Sequence, residues 1–227
     1  MSKERPLLAV LIDADNVPAK HAEAILKEIN GLGEPALRRV YGDWSNKRLG
    51  NWAGIIPALG LVARQESANT TGKNASDIGL VIDAMDILHS GKFDAFVIVS
   101  SDSDFTALAN RLREDGLSVF GIGEKKTPPS LISVCNRFIF IENIVHGKKD
   151  TGQDRAAEAL GLFQKAFTKI DSDDEWVHLA RLGSMIAADH PDFDPRTYGH
   201  GKLSTLARAI DGIETKREGS QLMVRPR

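Results

Sequence analysis

Cysteine is almost missing from this chain of 227 residues. Cys135 stands alone, so no internal disulfide can form and no cysteine-based zinc site can be built. Net charge is lacking too. The 29 lysines and arginines against 31 aspartates and glutamates leave a formal charge of −2, with no global basic field to attract nucleic acid. Any such binding must come from a local patch or a bound cation. Long hydrophobic runs are absent as well. The apolar stretch in the opening MSKERPLLAVLIDADN is too short for a signal-peptide core or a membrane span. The expected setting is therefore cytoplasmic, with no membrane partner. There is no Gly-x-x-x-x-Gly-Lys-Ser/Thr loop, no Gly-x-Gly-x-x-Gly and no serine elbow, so the usual nucleotide cradles and acyl-transfer chemistry are not in view.

What is present is ordinary globular sequence: 42 % hydrophobic and 26 % charged residues exclude a disordered or collagen-like chain. Its clearest seam is HGKKDTGQD at 146–154, nine residues without a large apolar side chain and with two glycines. Before the seam, short apolar runs at 7–12, 36–42, 60–64, 93–101, 117–123 and 137–143 read as strands. Helix-period stretches at 18–30, 47–58, 75–90, 103–115 and 128–134 alternate with them. That alternation predicts an α/β fold, an open parallel sheet with helices on both faces, over residues 1–145. After a linker at 146–154, amphipathic helices over 156–170, 175–189 and 202–213 predict a small, mainly helical domain over 155–227. QLMVR near the end is a candidate short strand.

The strongest chemical signal is positional. Asp13 and Asp15 follow the first apolar strand, Asp102 and Asp104 follow the most apolar one, and Asp77 opens a helix. Open parallel sheets bind ligands beyond the carboxyl ends of their strands, so these acids are expected to face one cleft. Crowded carboxylates raise one another's pKa unless a cation lies between them. Oxygen-only ligands favour Mg²⁺ or Mn²⁺, and metal-assisted phosphodiester hydrolysis is the natural chemistry of such a set. Each of Asp15, Asp77 and Asp104 taken alone has the better odds of being a helix N-cap. Asp13 and Asp102 are harder to explain that way, because charge beside a buried strand is costly unless paired. Asp83 and Asp86 fall roughly on the far side of their helix from Asp77 and are expected to be solvated.

These residues also form an ordered pattern. Leu-Ile-Asp13-Ala-Asp-Asn16, Lys73-Asn-Ala-Ser-Asp77 and Val-Ser-Ser-Asp102-Ser-Asp104-Phe, with Tyr41-Gly-Asp-Trp44 and Gly121-Ile-Gly-Glu-Lys-Lys-Thr-Pro128, resemble the NYN domain. This is a branch of the PIN-like nuclease superfamily that includes the bacterial LabA-like proteins. The resemblance implies a metal site at Asp13, Asp77 and Asp102, with Asp104 a fourth member and Asn16 matching the asparagine beside the first acid. It also implies that Lys73 faces a substrate phosphate. Ala14 and Ser101 stand where many members carry glycine. Both are small enough to leave that site intact.

The tail, through Phe193-Asp-Pro-Arg196-Thr-Tyr198-Gly and Lys202-Leu-Ser-Thr-Leu, resembles the OST-HTH or LOTUS domain, a winged-helix-like module whose relatives bind RNA or protein partners. Phe193 and Tyr198 can equally be core packing, and Arg196 and Lys202 ordinary solvated charges. Together the two resemblances imply a ribonuclease dependent on Mg²⁺ or Mn²⁺ with an accessory RNA-binding domain. Phosphate contacts are then expected from Lys73, Lys47 and Arg48, with RNA contacts in the tail from Arg196, Lys202 and Arg208. For Lys47 and Arg48, a solvated helix start is the more ordinary explanation. Two rivals stand beside this. Asp13-Ala-Asp15-Asn-Val17 also fits the signature of haloacid-dehalogenase-like phosphatases, though the helix expected soon after Val17 leaves no room for their flap. The other is a non-catalytic RNA-binding scaffold.

Overall fold

The computed structural model describes residues 5–45, 47–65, 75–145, 155–170 and 175–227. The chain divides into two compact units, Met1–Val145 and His146–Arg227. Both the 146–154 segment expected as a linker and Lys73 lie outside the described residues.

The first unit is a six-stranded, wholly parallel sheet. Its strands are β1 (Leu7–Asp13), β2 (Glu34–Gly42), β3 (Val62–Gln65), β4 (Ala95–Val99), β5 (Ser118–Gly123) and β6 (Arg137–Phe140). Their order across the sheet is β3-β2-β1-β4-β5-β6. Helices α1 (Ala22–Ile29), α2 (Ile55–Ala58), α3 (Ala75–His89), α4 (Thr106–Glu114), α5 (Pro129–Val134) and α6 (Ile141–Val145) connect or follow the strands. Because side chains alternate along a strand, β1 sends Leu8, Val10 and Ile12 into one core and Ala9 and Leu11 into the other. α1 and α6 close the first core, and α3, α4 and α5 close the second. Burial on both faces explains why β1 and β4 read as unbroken apolar runs.

The order of the strands matters most. The chain steps outward from β1 to β3, then returns to lay β4 on the opposite side of β1. The crevice at such a reversal is where open α/β sheets take their ligands. Asp13 ends β1, and Asp102 lies three residues past β4.

Two expectations about the first unit change in detail. Residues 47–58 form a 3-10 run, Lys47–Trp52, and then the single turn α2, rather than one helix. Gly50 and Gly54 raise the entropic cost of a continuous helix there. The last strand stops at Phe140, and Ile141–Val145 turns helical.

The second unit holds α7 (Ala156–Lys169), β7 (Val177–His178), α8 (Leu179–Asp189), a 3-10 turn (Pro195–Tyr198), α9 (Leu203–Ala209), β8 (Ile213–Glu218) and β9 (Gln221–Pro226). The strands form an antiparallel sheet ordered β7-β9-β8. The helix expected from 175 starts at Leu179, because Val177 and His178 pair with Val224 and Met223. β8 has no apolar alternation to announce it. It exists because Gly219, at φ 59°, turns the chain so that Ile213–Glu218 pairs along β9. Trp176 is braced by Lys216 and Arg225, whose charged groups lie 4.6 and 4.7 Å from its ring centroid. No helix among the described residues is long and apolar enough to cross a membrane.

One glycine ties the sheet to the crevice. A Cβ on Gly123 would lie 2.6 Å from the Ser100 carbonyl oxygen and 2.8 Å from Thr127 Oγ1. Gly123→Ala should therefore force the end of β4 away from β5 and destabilise the first unit by roughly 1–3 kcal/mol. Thermal unfolding of the variant beside the parent protein measures this.

Candidate functional site

Asp13 is the centre of the crevice. It is 1 % exposed, and its carboxylate accepts four hydrogen bonds. The backbone N–H groups of Asp15 and Asn16 reach Oδ1 at 3.0 and 3.2 Å. Asn16 Nδ2 and Ser100 Oγ reach Oδ2 at 2.7 and 2.8 Å. Burial pushes its pKa above the usual carboxylate range. The hydrogen bonds from Ser100 and Asn16 oppose that rise, while the charge of Asp15 adds to it.

Ser100 carries the link across the sheet. Its hydroxyl donates to Asp13 and accepts from the Asp102 backbone N–H at 3.1 Å, so the ends of β1 and β4 share one chain of hydrogen bonds. Asp102 then caps the 3-10 turn Ser103–Phe105 by accepting from the Asp104 N–H at 2.9 Å. Asp13 thus supports the turn that follows β1, and Asp102 provides a cap. Asp104 lies within the turn that Asp102 caps and is exposed.

Asp77, in the first turn of α3, completes the group. Its pKa is raised to about 6, first by desolvation and then by the charges of Asp13, Asp102, Asp104 and Asp15. Every acid expected at the site therefore lies within electrostatic reach of Asp77. Among the described residues, no three acid, histidine or cysteine side chains are drawn close enough to grip an ion as they stand. The donors are nonetheless all oxygen, and their mutual repulsion is the kind that a hard divalent cation relieves. By the chemistry of the donor set, the residues fit such an ion.

Beside the acids lies a cleft of about 690 Å³ between the loop after β1 and the 3-10 run at 47–52. Asn16 and Arg48 both line it, whereas Lys47 is exposed and does not. Sequence reasoning passed over Ser100 and Asn51. A small polar residue at the end of a buried strand was the available signal for Ser100; Asn51 carried none.

Asp83 departs from expectation, for it is not solvated. Tyr41 Oη donates to it, the Arg39 guanidinium pairs with it, and Arg64 Nε lies 3.6 Å away. α3 packs across β1 and β2, which carries Asp83 over Tyr41. Burial, and then the same carboxylate, drives the Tyr41 pKa upward. Asp86 is exposed, as expected.

In the second unit, Asp194 is buried and accepts from the Arg196 backbone N–H at 2.8 Å and from its guanidinium at 2.6 to 3.1 Å. Pro195 opens the turn and Gly199, at φ 86°, closes it. Phe193 packs edge-on against Phe163, and Tyr198 lies against Phe193. The aromatic residues of this motif are partly buried and pack against the core of the second unit, and Arg196 is engaged by Asp194. Lys202 and Arg208 are exposed, at the start and in the last turn of α9.

A parallel sheet with acids at its strand reversal accords with a PIN-like architecture, and comparison with known families assigns it. The NYN domain model matches residues 7–142, and the OST-HTH/LOTUS domain model matches 154–224. The chain belongs to the NYN family, of the PIN-like nuclease superfamily, and carries a C-terminal OST-HTH/LOTUS domain. Among solved structures it is similar to a protein of unknown function from Vibrio parahaemolyticus RIMD 2210633, with 20 % identity and a TM-score of 0.51. That likeness covers 61 % of this chain and 94 % of the other, and concerns the fold alone. No match was found among the curated proteins.

The raised pKa of Asp77 has a consequence for stability. A carboxylate that binds its proton more tightly when folded destabilises the fold above its folded pKa, and the penalty fades as pH falls from about 6 toward 4. Asp77→Asn should stabilise the first unit at pH 7.5 by about 1 kcal/mol, allowing for solvent screening of a half-exposed group. That gain should vanish near pH 4. Denaturant unfolding at the two pH values measures both.

Proposed function

We propose that this protein is a ribonuclease dependent on Mg²⁺ or Mn²⁺, with Asp13, Asp77, Asp102 and Asp104 as its metal-binding acids. The observation that carries the reading is the placement of Asp13 and Asp102 beyond the ends of β1 and β4 at the strand reversal, with Asp77 near enough for their charges to add to its raised pKa. A bound divalent ion would supply Lewis acidity and a hydroxide-like nucleophile at neutral pH. The chain's own residues do the rest. Asn16 and Ser100 hold the Asp13 carboxylate in one orientation. Ser100 also fixes the backbone from which Asp102 projects. Lys47 and Arg48, both exposed near the crevice, are suited to contact the phosphate chain, and Lys73 is proposed for the same task from the family pattern alone.

The phosphatase reading loses ground on one observation. The chain passes from Val17 and Pro18 straight into a 3-10 turn at Ala19–His21, with no insertion to serve as a flap. A cytoplasmic setting accords with the RNA substrate and with a single, buried thiol.

The acids are tested by cleavage of labelled single-stranded RNA. Excess chelator should abolish cutting, Mg²⁺ or Mn²⁺ should restore it, and Zn²⁺ should substitute poorly. Asp102→Asn should lower kcat by about 10²-fold or more, on the scale of losing one preorganised charge-stabilising group. Cleavage that persists in excess chelator would sink the metal site, and no cleavage under any ion would leave an RNA-binding scaffold.

OST-HTH/LOTUS domains bind RNA, and we assign that task in this chain to the exposed cations of α9. With Arg196 engaged by Asp194, Lys202 and Arg208 carry the contact. Replacing both by alanine should weaken RNA binding and reduce the slope of log K against log salt by about 2. kcat at saturating RNA should not change. Filter binding across a salt series reads the first effect; an unchanged slope would turn the assignment toward a protein partner.

A further inference from the structure

Resting on the ribonuclease reading, we infer that the cleft beside the acids is a nucleobase pocket, which seats the base of an unpaired nucleotide adjoining the scissile phosphate. Three observations converge on it. The cleft is contiguous with the acid group, because Asn16 donates to Asp13 and also forms part of its wall. Its volume, about 690 Å³, falls within the ~300–1,000 Å³ of small-molecule sites. Its lining is divided by chemistry. Val17, Leu49 and Trp52 are buried and offer an apolar floor, whereas Lys20, Arg48 and Asn51 stand exposed at the rim.

Such a division suits a nucleotide. A planar base gains from leaving water for an apolar surface, while its edge needs amide donors and acceptors and its phosphate needs cations. The carboxamides of Asn16 and Asn51 can serve the edge, and Lys20 and Arg48 the phosphates. A base can enter only if it is not paired or stacked within a helix, so the substrate is single-stranded at the cut.

Oligoribonucleotides lacking a base at one position, moved along the strand, test this with the full-length protein. Removing the base next to the cut should raise KM about tenfold or more, the scale of one lost stacking contact, whereas removal several nucleotides away should have little effect. Asn51→Ala, at an exposed position that should not disturb folding, should raise KM on intact RNA about tenfold with kcat within about twofold. Unchanged KM for every abasic strand would overturn the pocket while leaving the ribonuclease reading intact.

A second arm does not need cleavage. Titration of the Asp102→Asn protein with a nucleoside monophosphate and with ribose 5-phosphate, followed by amide chemical shifts, should move residues 49–55 for the nucleotide alone, while Lys20 and Arg48 respond to the phosphate of either. Equal responses of 49–55 to the two would overturn the pocket. A base-selective response, where the unsubstituted protein cuts no RNA under any ion, would keep the pocket and refute the ribonuclease reading.

Discussion

A carboxylate kept out of water must be given hydrogen bonds, and the first unit is organised around meeting that demand at Asp13. Two backbone N–H groups, one carboxamide and one hydroxyl converge on it. The backbone donors fix the turn after β1, and the hydroxyl fixes β4 against β1. An uncompensated charge at that depth would cost several kcal/mol, so the turn, the strand end and the acids that follow are held in a single arrangement. Gly123 belongs to the same constraint, since the Ser100 backbone can sit where it does only beside a residue without a side chain.

Asp77 stands in a different relation to that centre. Asp13 and Asp102 accept local N–H donors, whereas Asp77 bears chiefly the cost of desolvation, with the charges of its neighbours adding to it. The group is thus divided between acids that hold the architecture together and an acid that the architecture holds at a disadvantage. For the proposed metal-dependent function the two kinds would play different parts. The first would give position, and the second a reason for a cation to bind.

Much of this was legible in the residues. The apolar runs located all six strands, and acids after the first and fourth pointed to the strand reversal, because β1 and β4, buried on both faces, have no polar positions before their ends to confuse the pattern. Legibility failed where tertiary contact overrides local preference. Asp83 looked solvated by helical period, yet the path of α3 across β2 places it over Tyr41. β8 carried no alternation and exists through its pairing with β9. The support of the turn by Asp13 and the cap provided by Asp102 depend on backbone direction, to which spacing is blind. The motif around Phe193 was legible as a pattern, but not in its division of labour, where Asp194 pairs with Arg196 and the aromatic rings pack, partly buried, against the core.

The unfavourable position of Asp77 reaches beyond a single molecule. A residue that weakens its own fold is kept by the demands of chemistry and lost once those demands lapse. In a duplicated copy of this domain freed from cutting RNA, drift toward a neutral side chain at that helix start would be rewarded by a sturdier protein before anything else changed. The decay of the activity would then begin at α3, with the knot around Asp13 among the last features to go, since the fold itself depends on it.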